Sequence, residues 1–131
     1  IRVITNKILN SRFGMVFEKL WKVSEKLHDK IDALNQGDKL VQEMQNMLKK
    51  FDEKLKLGQA EYDKYKEGLA IDIKNKSSAS EINKDYKDHL DKAHEYLREA
   101  YGILKDLLKL YREYFQEKTR SFHLELTIAT A

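Results

Sequence analysis

The feature that most restricts this chain is an apolar spacing of alternating threes and fours, carried through three long stretches without a single proline to interrupt it. The first stretch reads Leu9, Phe13, Val16, Leu20, Val23, Leu27, then Ile31 or Leu34. The second reads Val41, Met44, Leu48, Phe51, Leu55, Gly58, Tyr62, Tyr65, Leu69. The third reads Ala93, Leu97, Ala100, Leu104, Leu107, Tyr111, Tyr114. A hydrophobic repeat of 3.5 residues keeps one seam of a helix turned toward its partners along a left-handed supercoil. It does not fit strands, whose side chains alternate with period two. With no proline and five glycines in 131 residues, the chain also lacks the turn residues that loop-rich and all-β proteins use.

Breaks between the stretches are few. Asn35-Gln36-Gly37-Asp38 places a glycine after one run and an aspartate suited to capping before the next. Asn75-Lys76-Ser77-Ser78-Ala79-Ser80 is small and polar, with Ser80 placed to cap a helix starting near Glu81. Helices are therefore predicted at about 5–35, 38–74 and 80–120 in a single domain, with 121–131 overhanging or irregular. Short connections make neighbours antiparallel, so the expected fold is all-α: an elongated up-down-up three-helix bundle with coiled-coil-like seams. Pairs such as Glu18 with Lys22, Asp52 with Lys56 and Asp88 with Lys92 are expected on the wet faces, each contributing about 0.2–0.5 kcal/mol.

Reflection about the two breaks gives a register. Folding about Gly37 sets residue i of the first helix against 73 − i of the second. Folding near Ser77 sets residue i of the second against 154 − i of the third. Trp21 then meets Asp52 beside Phe51, near Gly102, as a large-to-small layer. The third helix outruns the start of the second, leaving residues 116–131 beyond the bundle. Within them Phe122, Leu124, Leu126 and Ile128 alternate with polar or small residues, the period-two signal of a strand. The two termini are expected at opposite ends.

Catalytic and metal chemistry find little footing. Absence of cysteine removes disulfides, thiolate metal sites and cysteine nucleophiles. Glu25 with His28, and Asp91 with His94, approximate the Glu-x-x-His spacing of di-iron bundles, but a full site needs two such motifs and two further glutamates. No serine stands in a Gly-x-Ser-x-Gly turn, and the glycines are scattered singly rather than grouped to cradle phosphate. The expectation is a non-enzymatic chain with no cofactor, no metal and no small-molecule substrate.

Aromatics and charge point elsewhere. Seven tyrosines include Tyr111 and Tyr114 near the open end, adjoining Phe115, and aromatic side chains dominate interface hot spots. Tyr111, Tyr114 and Phe115, continued by Phe122, Leu124 and Leu126, form the expected partner-binding set. The net charge of +3 is too small and too dispersed to suggest nucleic acid. All of it resides in residues 1–17, as Arg2, Lys7 and Arg12 with no acid, whereas the remainder holds 22 basic and 22 acidic residues. Interleaved with Ile4, Ile8, Phe13 and Phe17, that stretch suits an anionic membrane surface or an acidic partner.

Three helices, a tryptophan (Trp21) in the first, and termini at opposite ends resemble a spectrin-type repeat. The segments here are longer and no further motif extends the likeness, so membership is not inferred. The resemblance implies a spacer or one unit of a longer rod. The expected function is a protein–protein interaction or scaffold module, with a protein partner or self-association through the C-terminal overhang. The alternative is a peripheral membrane or lipid-binding domain using Arg2, Lys7 and Arg12. An initial Ile1 suggests a fragment or processed product. With no signal peptide and no apolar span of about 20 residues in this stretch, a cytoplasmic location is favoured.

Overall fold

A computed structural model describes the backbone of residues 2–74 and 79–130, and the side chains of 14–71, 86–120, 124 and 127. Three helices follow one another: α1 (Arg2–Asp32), α2 (Lys39–Lys74) and α3 (Ala79–Thr130). The chain is all-α, and the up-down-up bundle read from the seams accounts for its architecture. At 1.5 Å per residue the helices are about 46, 54 and 78 Å long.

Two expectations about α3 need correction. Ser80 is its second residue and not its cap, because the helix begins at Ala79. The stretch Phe122–Ile128 is helix, not strand. Alternation over so few residues also satisfies i, i+4 spacing, as in Phe122 with Leu126 and Leu124 with Ile128. Extending a helix already more than forty residues long needs no new nucleus, and nothing after Gly102 breaks it.

The connection between α1 and α2 shows how a proline-free turn can be held. Asp38 Oδ1 accepts the Leu40 amide at 2.9 Å, so Asp38 caps α2 as the sequence suggests. The end of α1 is closed differently from the expected glycine cap. No described residue, Gly37 included, has a positive φ. Instead the Gln36 side-chain amide donates to the carbonyls of Ile31, Asp32 and Leu34 at 3.1, 3.1 and 2.8 Å, satisfying acceptors that the helix end leaves open. The Gln42 side chain donates in turn to the Gln36 carbonyl at 3.1 Å, and Gln45 to the Gln36 side chain, tying the first turns of α2 to the same residue.

The core lies where the three seams meet. Ile31, Met44, Leu48, Phe51, Leu55 and Leu107 are fully buried, each stabilising the fold by about 1.5–3 kcal/mol relative to exposure. An aromatic run continues it toward the other end: Phe17, Tyr62, Tyr65 and Tyr86 follow one another with ring centroids 5.7, 6.2 and 5.6 Å apart. Helix α2 is the common partner. It packs along α3 for most of its length and against α1 more sparingly, while the backbones of α1 and α3 do not approach each other among the described residues.

The register of α2 against α3 matches the reflection. A β-carbon added to Gly68 would collide with Tyr86, and one added to Gly58 would lie 3.2 Å from the Tyr96 Cβ. Between α1 and α2 the reflection misplaces Trp21. Its indole Nε1 donates to Gln59 Oε1 at 2.6 Å, two turns from Asp52. Gly102 is exposed, and nothing lies within 4 Å of where its β-carbon would be, so the Trp21–Gly102 layer does not exist.

Candidate interaction surface

Polar side chains between the helices pair with one another. Asp52, expected to face Lys56, is drawn to α1, where its carboxylate accepts from the Ser24 hydroxyl and lies 2.7 Å from His28 Nε2. Serine, aspartate and histidine meet here with the carboxylate in the middle, which is not the serine–histidine–carboxylate order of a catalytic triad. The hydroxyl proton is committed to the carboxylate, which stands between the serine and the base. On the other side of α2, Glu61 Oε2 lies 2.5 Å from His89 Nδ1, and this hydrogen bond holds the glutamate below its ordinary pKa. Lys54 bridges to Glu99 at 2.8 Å, the principal cause of its raised pKa. Of the three pairs expected on the wet faces, Glu18–Lys22 forms, at 3.9 Å with both side chains exposed.

The sequence pattern revealed neither the pairing of His28 with Asp52 nor that of His89 with Glu61. Their partners sit a helix away, at positions a single-helix pattern does not reveal. No group of three or more His, Asp or Glu side chains that could hold a metal occurs among the described residues. Glu25, the other half of the first candidate metal motif, instead borders an open groove of about 490 Å³ between α1 and α2. Phe17, Trp21 and Tyr62 form its floor. The groove's indole donor is already satisfied by Gln59, and burial raises the pKa of the Tyr62 phenol.

Among the described residues, most of the exposed large apolar side chains lie on α3. Of its core seam, Ala93, Leu97, Ala100, Leu107 and Tyr114 are buried, while Leu104 and Tyr111 are shared with the surface. One residue further round runs a second seam, Tyr101, Leu104, Leu108, Tyr111 and Phe115, again spaced by alternating threes and fours. Leu104 and Tyr111 are half-buried at the border of the core. Tyr101, Leu108 and Phe115 stand 50%, 38% and 41% exposed. The five side chains span about 21 Å, four turns of helix. Phe115 is held at its post by two edge-on neighbours, Tyr111 at 4.7 Å and Tyr114 at 5.4 Å between centroids.

The candidate partner residues thus divide. Tyr111 and Phe115 lie on the surface seam. Tyr114 belongs to the core, where it supports Phe115 and carries Lys118 Nζ over its ring at 5.6 Å. Beyond them α3 runs on past the level at which α2 begins, with residues 116–120 exposed and Leu124 63% exposed. Phe122 and Leu126 lie on this helical overhang, their side chains outside the described residues, as are those of Arg2, Lys7 and Arg12 in the first turns of α1. No described helix is long and apolar enough to cross a membrane. Tyr101 and Leu108 escaped the sequence pattern because they lie one position outside the core repeat, to which Leu104 already belongs.

Fold and surface together define an elongated helical bundle with one helix that is apolar on two adjoining stripes. Comparison with known protein families, with curated proteins and with solved structures finds no match.

Proposed function

We propose that this chain is a non-enzymatic interaction and scaffold module, holding a partner along α3 near the C-terminal overhang while the bundle below keeps that helix straight. The observation that supports this is the second seam. A stripe of five apolar or aromatic residues at coiled-coil spacing, three of them substantially exposed, lies on a helix that outruns its neighbours. Scattered exposed apolar residues are ordinary on any surface, but a continuous stripe at partner-helix spacing is not. The seam also sits on a rigid element whose core side is fully packed, so little ordering would be lost on binding.

A photo-reactive side chain placed at Leu108 or Phe115, compared with one at exposed Lys19 or Asp63, tests the reading in extract from the source cells. Adducts of defined mass formed only from the seam positions, and lost on adding Tyr111→Asp, are the expected result. Equal labelling from all four positions would refute a dedicated surface.

A further inference from the structure

The charges beside the second seam specify the kind of partner. At 100° per residue, Lys105 and Arg112 stand about 60° and 40° round the helix from Leu108, and Arg98 continues the same row seven residues earlier. All three are exposed. Neither Lys105 nor Arg112 has an acidic residue three or four positions away, and neither forms an ion pair among the described residues. The acids that follow them in sequence, Asp106 and Glu113, fall on the far side of the helix, with Asp106 about 160° from Leu108. The other border of the seam is the buried row Ala100, Leu107 and Tyr114. The seam therefore has one free flank, and that flank is uniformly basic.

In helix pairs, the charges that border the apolar seam choose the partner. Resting on the interaction reading above, we propose that the occupant of this seam is an amphipathic helix of another protein, apolar at 3.5-residue spacing and acidic along the border that meets Arg98, Lys105 and Arg112. A second copy of this α3, laid antiparallel on the first, would set its own basic row against this one, which opposes self-pairing. A bilayer is matched by a broad apolar face with basic residues on both borders, whereas this stripe is narrow and closed on one side by the bundle.

The probe is a pair of synthetic helices of about three heptads, each with leucine at both seam positions. One carries glutamate at the bordering positions and the other lysine. Affinity for the full chain is measured by fluorescence anisotropy at low and high salt. The glutamate helix is expected to bind at least tenfold more tightly at low salt. The double variant Lys105→Glu/Arg112→Glu is expected to reverse that preference, and Leu108→Asp and Phe115→Asp each to abolish binding with unchanged helical circular dichroism. Equal affinity for both helices, with the seam variants still inactive, would overturn the acidic partner but leave the surface. Binding by neither helix, or binding indifferent to Leu108→Asp and Phe115→Asp, would overturn both. Two further results would overturn the heterotypic helix: a concentration-dependent dimer in sedimentation that Leu108→Asp dissolves, or retention on phosphatidylserine vesicles that the double reversal abolishes.

Discussion

Gly68 and Gly102 are both mid-helix glycines with ordinary negative φ, so exchange for alanine asks nothing unusual of the backbone at either place. By helix propensity alone each change should stabilise by about 1 kcal/mol. Their surroundings differ completely. At Gly102 the new methyl meets nothing within 4 Å. At Gly68 it would lie inside 3.0 Å of the Tyr86 Cβ and 3.1 Å from its Cγ, atoms fixed by the α3 backbone and not the swinging tip of a side chain. Overpacking of that kind costs about 1–3 kcal/mol. Gly102→Ala should therefore gain about 1 kcal/mol, and Gly68→Ala should fall between neutrality and a loss of about 2 kcal/mol. For a domain of this size 1 kcal/mol moves the melting midpoint by about 3–5 °C. Thermal unfolding followed by circular dichroism should show Gly102→Ala melting above the parent and Gly68→Ala level with it or as much as about 10 °C below. If Gly68→Ala stabilises as much as Gly102→Ala, then α2 and α3 do not touch at this level and the close packing described for them is wrong.

Three other outcomes follow from the same contacts. Because His89 lowers the Glu61 pKa, the unfolded chain takes up a proton there before the folded one does; that stability is present above about 4.5 and disappears as pH falls through the folded value, so urea midpoints should drop less between pH 6 and pH 3 in Glu61→Gln than in the parent. Burial raises the phenols of Tyr62 and Tyr65, hence absorbance at 295 nm should show a tyrosine component ionising above the ordinary phenol range, and Tyr62→Phe/Tyr65→Phe should remove part of that late component. Phe51→Ala, at a fully buried site in the seam of α2, should cost about 3–5 kcal/mol in chemical denaturation, whereas Met15→Ala at an exposed position should change stability by less than about 0.5 kcal/mol.

What could be read from the sequence depended on whether the information was local. Each core seam is a property of one helix, and the buried residues of α2, from Val41 to Leu69, are those its repeat selects. Reflection about the second break predicted the pairing of Gly68 with Tyr86 and Gly58 with Tyr96, because two straight antiparallel helices leave one free parameter. It failed for Trp21 because a reflection treats a turn as a point. The first connection has length and shape, set by the three carbonyls that Gln36 holds, and it decides how far α1 slides along α2. The end of α3 misled for another reason. Alternation from Phe122 to Ile128 is a weak local preference, overruled by the cooperativity of the helix entering it. Asp52 illustrates the remaining gap: helix spacing assigned it to Lys56 and solvent, but a carboxylate beside two donors on α1 turns inward.

One consequence of placing α2 between two helices concerns force. The up-down-up path delivers the termini to opposite ends, so tension applied across the chain runs along α1 and α3 and must pass between them through α2. Both contacts are then loaded in shear, parallel to the helix axes, and have to yield over many side chains together instead of peeling one layer at a time. They are unequal in strength, since the α2–α3 contact is long and close and the α1–α2 contact is sparser. Extension should thus proceed in two stages, with α1 sliding free first and the α2–α3 pair, still bearing the exposed seam, holding to a higher load.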